Sequence, residues 1–279
     1  MMKAKYLLKI LTNSKLCLMG IGIGLLAIHI NFVWQAGDKN LLSTSVLFWA
    51  AACSLLSKKR DELNLKSGPF GSFVGIFLIT VVLLKSQSLS GFDFFLRLSP
   101  SLSALGLGLI ASDIRGLKQY WQELLILSFL IPHSGLLSQL IDTSKLTAQF
   151  AASLLWYLGF QVSRQGVNIV LSTGSIEVNP GCSGYSSILL LLGISVIFLL
   201  MFPTKLQQKV FAPIVAVLLG FIVNGIRVAL MAVLASSSNK EAFIYWHNED
   251  GSLIFSVISV SLFGLFCYFT LQQNQSVTQ

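Results

Sequence analysis

The chain has few charged side chains for its length. It contains 11 Asp and Glu and 19 Lys and Arg, so charged residues make up only 11% of its 279 residues, against about 25% in an ordinary soluble domain. So little charge cannot cover a soluble surface, which excludes a soluble enzyme or binding module. Hydrophobic residues make up 54% of the chain, and their runs are too long and uninterrupted for barrel strands. The composition therefore predicts an all-α polytopic membrane protein, because helices satisfy their own backbone polar groups in lipid.

Cysteine is also scarce, and the four that occur are scattered along the chain. Cys17, Cys53 and Cys267 fall in or beside apolar runs, where we expect core residues, and Cys182 stands apart from them. This spacing argues against a disulfide framework and excludes a cysteine-based zinc site, and we predict no metal and no cofactor. The net charge of +8 comes from short basic clusters without interleaved aromatic residues, so we predict no nucleic-acid partner.

Hydropathy predicts about eight membrane-spanning helices within a single integral membrane domain, residues 1–279. A helix needs about 20 apolar residues to cross the bilayer. The candidates are 16–34, 41–57, 69–85, 92–112, 119–137, 185–202, 210–235 and 252–271. We divide the domain into N-terminal helices (1–137), an outer segment (138–184) and the helices that follow it (185–271). The first apolar run is long and lacks a clear cleavage site, so we interpret it as a retained anchor.

The basic clusters predict the orientation, because cytoplasmic loops carry an excess of Lys and Arg. The N-terminus, the loop 58–66, the loop with Arg115 and Lys118 and the loop with Lys205 and Lys209 are all basic. All four can be cytoplasmic only if 146–160 does not cross, which favours a short interfacial helix there. We therefore expect a protein of the inner (cytoplasmic) membrane with both termini in the cytoplasm. Residues 138–184 and 236–250 are expected on the outer side.

Residues 161–184 do not have a helical pattern. VNIVL and SIEV flank the turn STG, which predicts a small outer β-hairpin. The hairpin leads to NPGCSGYSS, where Pro180, Gly181 and Gly184 interrupt regular structure just before the next helix.

Cys182 is the first candidate for chemistry, because the helix N-terminus that we predict there favours a thiolate. Gly181 and Gly184 would let a substrate backbone approach closely, although a small residue in an ordinary turn is the plainer interpretation. The second candidate is Arg227 in NGIRV, a charge within an apolar span, which is costly unless it has a function or snorkels to the headgroups. Asn224 lies three residues earlier on the same helix face and could hold the guanidinium.

The third candidate is His247 in YWHNEDG, which we predict in an outer loop just before the last span. Glu177 and Asn248 are possible partners for it, although solvated loop residues are the simpler interpretation. His29 is expected to be a packed polar residue, and His133 could be either structural or functional. Helices joined by short connections are usually neighbours, so Cys182, Arg227 and His247 should share one membrane face. A thiolate nucleophile, a histidine for proton transfer and a permanent cation for the oxyanion together suit acyl transfer.

The ordered set NPGCSG, NGIR and H-x3-G (His247 to Gly251) resembles the exosortase/archaeosortase family, including its cyanobacterial branch. The resemblance covers roughly residues 145–260. It implies a multi-helix membrane cysteine peptidase or transpeptidase that uses no cofactor, with Cys182, Arg227 and His247 as the catalytic residues. The implied partners are exported proteins with a C-terminal sorting signal: a short motif such as PEP, an apolar helix and a basic tail. Cleavage would pass through a thioester on Cys182 at the outer face, resolved by an unknown acceptor or water.

Two other functions fit parts of the sequence. Gly181-Cys182-Ser183-Gly184 contains GxSG, which resembles the serine motif of rhomboid-like intramembrane proteases, with Ser183 as nucleophile. A transporter would use Arg227 and Asn224 to line a polar path, but the spans lack the acidic residues typical of coupled transport.

Overall fold

The computed structural model describes residues 14–86, 94–132, 143–237 and 239–276. The chain divides into two compact units, Met1–Ile131 and Pro132–Gln279. The predicted boundary between residues 137 and 138 lies outside the described residues, as does His133. That all 279 residues form one membrane domain stays a prediction.

The described part of the first unit is helical. It consists of α1 (Ser14–Ala36), α2 (Lys39–Lys58), α3 (Pro69–Ser86), α4 (Phe94–Gly116), a 3-10 turn (Leu117–Tyr120) and α5 (Trp121–Ser128). Helices α3 and α4 approach closely because glycines meet: a Cβ on Gly75 would lie 2.5 Å from the carbonyl oxygen of Gly106. His29 is buried between Ser99 and Ser45, with both ring nitrogens 3.1 Å from a serine hydroxyl, which confirms it as a packed polar residue.

Seven of the described helical segments are long and apolar enough to cross a membrane, against the eight predicted. The difference arises at the predicted span 119–137, where α5 ends after eight residues and turns follow up to Ile131. Pro132 comes next, and the residue before a proline is disfavoured in helical conformation. Residues 133–137 lie outside the described part. The all-α membrane class is confirmed, while the sidedness of the termini stays a prediction.

The outer faces of these helices are apolar, as lipid contact requires. Phe73 on α3 and Trp34 on α1 are each 71% exposed. Cys17 and Cys53 are also exposed and Cys267 is half-buried, so the expectation that these three are core residues is wrong for the first two. Long apolar runs do not tell which side of a membrane helix faces protein and which faces lipid.

The second unit carries all the motif residues. It consists of α6 (Ser144–Tyr157), strands β1 (Val162–Gln165), β2 (Asn168–Leu171) and β3 (Gly174–Glu177), a 3-10 turn (Pro180–Cys182), α7 (Tyr185–Met201), α8 (Leu206–Ser236), α9 (Lys240–His247) and α10 (Glu249–Ser276). The predicted hairpin exists as β2 and β3, but β1 extends it to an antiparallel three-stranded sheet. The strand β1 was missed because its VSRQ is polar and only four residues long.

Helix α6 packs through small residues and not through its large ones. Ala148 and Ala151 are fully buried in a cluster that also holds Ile169 and Leu171 of the sheet and Val228 and Met231 of α8. Leu146, near the start of α6, and Leu158, just after its end, are exposed instead. Exposed leucines beside a buried alanine face are consistent with a helix that contacts lipid on one side.

Candidate active site

Cys182 ends a short 3-10 turn that Asn179 caps. The Cys182 backbone N–H donates to the Asn179 side-chain oxygen at 3.0 Å and to its carbonyl oxygen at 2.9 Å. Asparagine followed by proline suits this start, because the amide oxygen accepts the free N–H and Pro180 is preset for the first turn. Cys182 is 8% exposed. The cysteine thus precedes α7 by a turn of its own, instead of lying in the helix itself.

Gly184 joins the Cys182 turn to α7 in a left-handed conformation, with φ of +93°. A Cβ there would also lie 3.0 Å from the Asn224 side-chain nitrogen. The glycine therefore lets the chain reverse direction directly beside α8. Gly181 is exposed and a Cβ on it would meet only the Asn179 side-chain oxygen, at 3.2 Å.

Ser183 is fully buried and its polar groups have partners. Its hydroxyl donates to the Pro180 carbonyl oxygen at 2.7 Å. Its own carbonyl oxygen accepts from the hydroxyls of Thr147, at 2.8 Å, and Thr143, at 3.2 Å. The bonds to its carbonyl oxygen tie the turn to α6, and a hydroxyl that donates to Pro180 within the turn is poorly placed to attack a substrate.

Asn224 holds the Cys182 backbone. Its side-chain nitrogen donates to the Cys182 carbonyl oxygen at 2.9 Å, and the residue is 4% exposed. The sequence left open that Asn224 holds the guanidinium of Arg227; among the described contacts its side chain bonds the Cys182 backbone instead. The side chain at position 224 points toward α7 because Gly220, one turn earlier, lets the two helices approach: a Cβ there would lie 2.9 Å from the Cα atom of Ile188.

Arg227 is 7% exposed and connects α8 to the end of α9. Its Nη2 donates to the carbonyl oxygens of His247, at 2.9 Å, and Trp246, at 3.2 Å, and its Nε donates to Trp246 at 3.3 Å. The guanidinium also interacts electrostatically with the Cys182 thiol. The Arg227 guanidinium is thus held by the backbone carbonyls of Trp246 and His247. The sequence had offered Asn224 as its partner.

His247 is the last residue of α9, where the sequence predicted a loop. The helix was missed because it is eight residues long and its start signal is a single residue: the Asn239 side chain accepts the Ala242 N–H at 3.1 Å. The His247 ring is exposed and stacks on Phe243, with ring centroids 5.5 Å apart. Phe243 packs against the buried cluster that contains Cys182.

The second unit thus connects the three candidates through α7, α8 and α9. Arg227 bonds the His247 backbone, and Asn224 on the same helix bonds the Cys182 backbone. Gly184 joins the Cys182 turn to α7. Glu177 and Asn248 are exposed, and among the described contacts neither side chain bonds to His247. Within the described ranges, no group of three or more His, Cys, Asp or Glu side chains is placed to hold a metal ion.

Four further residues support this site and were not singled out from the sequence: Asn179, Thr143, Thr147 and Phe243. Asn179 had a signal, since asparagine before proline is typical of a helix start. The two threonines act only because α6 packs beside the turn, and Phe243 only because α9 is helical. No local pattern indicates these three.

The family model described as Transmembrane exosortase (Exosortase_EpsH) matches residues 34–264, which is more than four-fifths of the chain. The match contains every residue of the site described above. No curated protein matches the chain. No solved structure matches it either.

Proposed function

This chain belongs to the transmembrane exosortase family, and we propose that it is a membrane-embedded cysteine peptidase or transpeptidase that cleaves the C-terminal sorting signals of exported proteins. Its partners are proteins that carry a short motif of PEP type, an apolar helix and a basic tail. The active site lies at the outer face of the cytoplasmic membrane. The observation that carries the proposal is the position of α8, where Arg227 bonds the backbone of His247 and Asn224 bonds the backbone of Cys182.

The Cys182 thiolate attacks the carbonyl carbon of the scissile peptide bond in this mechanism. An S–C bond forms, and the oxyanion collapses as the C–N bond breaks. The leaving nitrogen takes a proton from the His247 imidazolium, which leaves a thioester on Cys182. An acceptor amine or water then attacks the thioester, gives its proton to His247 and releases the Cys182 thiolate.

Arg227 suits the stabilisation of the oxyanion. A guanidinium has five N–H donors, and its Nε and Nη2 already donate to the Trp246 and His247 carbonyl oxygens. Its Nη1 has no hydrogen bond among the described residues. A developing oxyanion is stabilised by a permanent cation that is held in place and has N–H donors available, as the Nη1 group has here.

A reporter with the tripartite signal tests the proposal. Its size is followed in cells that contain the intact protein, Cys182→Ala or Ser183→Ala. We expect Cys182→Ala to abolish processing, and Ser183→Ala to retain it with the reduction that a lost buried hydrogen bond causes. Loss with Ser183→Ala alone would favour the serine-protease alternative. An uncut reporter with the intact protein would contradict the proposed function and favour the transporter alternative.

A further inference from the structure

We propose that the open edge of strand β3 binds the substrate, as an added strand formed by the residues on the exported side of the cleaved bond. This inference rests on the proposed function and names how that site holds its substrate. Peptides commonly add a strand to an exposed sheet edge, where backbone hydrogen bonds supply the affinity.

The sheet has one buried face and one open face. Ile169, Leu171 and Val178 point inward and are buried against α6 and α8. Ser163, Asn168 and Ser175 point outward and are exposed. This alternation is typical of an antiparallel sheet that packs on one side only, so the outward face of the sheet is exposed.

The strand register shows which backbone groups of β3 remain open. Leu171 pairs with Gly174 across a two-residue turn, and Ile169 pairs with Ile176. The Val178 N–H donates to the Val167 carbonyl oxygen at 3.0 Å, which places residues 174, 176 and 178 in the hydrogen-bonded pairs. Because bonded and non-bonded pairs alternate, the N–H and C=O groups of Ser175 and Glu177 point away from β2. Both residues are exposed, and neither has a backbone partner among the described contacts.

The hairpin tip is anchored, so this edge is held in place before any peptide binds. The Thr173 hydroxyl donates to the Ser236 carbonyl oxygen at 2.5 Å. A Cβ on Gly174 would lie 2.8 Å from the Ala235 carbonyl oxygen, which shows how closely the strand meets the end of α8. An edge that does not need to be ordered on binding loses less entropy.

Strand β3 also runs directly into the proposed nucleophile. Val178 continues the pairing after β3, Asn179 is extended with φ of −79° and ψ of 169°, and Cys182 follows in the turn that Asn179 caps. Cys182 lies five positions after Glu177, a reach of at most about 18 Å. The opposite edge, on β1, follows α6 instead, and the Arg164 side chain there folds back to the Gly166 carbonyl oxygen at 2.6 Å. Only the β3 edge therefore leads to the thiol within the described sheet.

The occupant is the short motif that precedes the apolar helix of the sorting signal. The edge offers backbone donors and acceptors at Ser175 and Glu177 beside a polar sheet face, which suits an extended, hydrated peptide segment. An apolar helix has its backbone groups already bonded and gains nothing there.

Proline substitution tests the inference, because proline removes an N–H but is tolerated at a sheet edge whose N–H faces outward. Ser175→Pro is compared with Ser175→Ala, which changes only the side chain. Arg164→Pro, compared with Arg164→Ala, is the matched control on the opposite edge. With purified protein and a peptide bearing the signal, we expect Ser175→Pro to lower kcat/KM about tenfold, mainly through KM. We expect Ser175→Ala to change kcat/KM by less than about twofold. The kcat/KM values of Arg164→Pro and Arg164→Ala should likewise differ by less than about twofold.

The alkylation rate of Cys182 by iodoacetamide separates lost binding from a damaged site. It is measured in a background with Cys17, Cys53 and Cys267 replaced by serine, and it should be the same with Ser175 and with Ser175→Pro. Equal kcat/KM for Ser175→Pro and Ser175→Ala would overturn the inference. A parallel fall in kcat/KM and alkylation rate would also overturn it, since the strand would then only support the turn.

Photo-crosslinking makes the test independent of cleavage. A p-benzoylphenylalanine in place of Glu177, in the Cys182→Ala protein, should capture the signal-bearing reporter. The same residue in place of Gln165, exposed on β1, should not. Capture from Glu177 without cleavage by intact protein would support the binding edge while contradicting the proposed function. Cleavage by intact protein without capture from Glu177 would overturn the edge and leave the proposed function standing.

Discussion

At the scale of single residues, the candidate site depends on backbone positions as much as on side-chain chemistry. The Cys182 carbonyl oxygen is held by Asn224, the Ser183 carbonyl oxygen by Thr147, and the His247 carbonyl oxygen by Arg227. These bonds hold the turn before α7 against α6 and α8, and the end of α9 against α8. A nucleophile and a base must keep their geometry within fractions of an ångström to react efficiently, so we expect conservative substitutions at these positions to be costly.

Gly184→Ala should destabilise the protein and reduce its activity. The left-handed conformation costs a non-glycine residue about 1–2 kcal/mol, and the new Cβ would also crowd the Asn224 side-chain nitrogen at 3.0 Å. Thermal unfolding in detergent and reporter processing measure both effects. Gly181→Ala is the control, because Gly181 is not in the left-handed region and has only one close neighbour. Equal stability of the two variants would contradict this account.

Arg227→Lys should lose most of the activity although the charge is kept. A lysine ammonium cannot reproduce the planar guanidinium that donates to the Trp246 and His247 carbonyl oxygens together. Loss of a donor to an oxyanion costs about 10²–10³-fold in rate, and we expect kcat of processing to fall by about that factor. Retention of kcat within about threefold would show that only the charge matters. Arg164→Lys, at an exposed position, serves as the control for a general effect of the exchange.

At the scale of helices and strands, glycines decide how closely the elements approach. At Gly220 the backbones of α7 and α8 lie so close that a side-chain carbon would not fit between them. Gly225 faces the Phe150 ring of α6, where a Cβ would lie 2.3 Å from Cδ1. Gly20 and Gly24 form a GxxxG pattern in α1, and no atom of the described residues lies within 4 Å of the Cβ position of Gly24. The pattern in the sequence and the contact in the structure therefore fall in different helices.

Gly220→Ala should push α7 away from α8, since the Cβ would lie 2.9 Å from the Ile188 Cα atom and backbone cannot yield as a side chain does. Overpacking of this kind typically costs about 1–3 kcal/mol, and Asn224 would lose its reach to Cys182. We expect a lower unfolding temperature in detergent and a lower rate of processing. Gly24→Ala should be neutral or stabilising, because it gains helix propensity in open space. A stability of Gly220→Ala equal to that of Gly24→Ala would refute this packing account.

At the scale of the whole molecule, the chain forms two compact units. The first contains partly buried ion pairs, Arg97 with Asp38 at 3.1 Å and Lys59 with Glu123 at 2.8 Å. The second contains the sheet and the proposed active site. A charge is costly within a membrane unless it is paired or functional, and these pairs meet that requirement in the first unit.

Cysteine labelling in cells checks the predicted sidedness. In a protein whose native cysteines are replaced, a single cysteine at Ser163 of β1 should react with an impermeant maleimide in intact cells. One at Lys66, in the basic loop, should react only after the membrane is opened, because basic loops stay in the cytoplasm. Both positions are exposed. Labelling of Lys66→Cys in intact cells, or of Ser163→Cys only after permeabilisation, would reverse the orientation and move the proposed site to the cytoplasmic side.

Much of the architecture followed from the sequence because the bilayer simplifies the problem. Apolar runs long enough to cross must be helices, which is why the all-α class is confirmed and most span boundaries agree with the described helices. The exception is 119–137, where hydropathy continues but Pro132 and the turns before it end α5. The strand β1 and the helix α9 were missed for a related reason: each is short and depends on its neighbours for stability.

The sequence by itself determined the membrane class, the hairpin of β2 and β3 and, through three short motifs in order, the exosortase family. These features are local or compositional, so nearby residues suffice to specify them. Only the tertiary structure decided that Asn224 bonds the Cys182 carbonyl and not Arg227, that Arg227 bonds the end of α9, and that Ser183 is tied to α6. Each of these contacts joins residues far apart in the sequence, so its partner is selected by how the elements pack, as where Gly220 lets α8 approach α7.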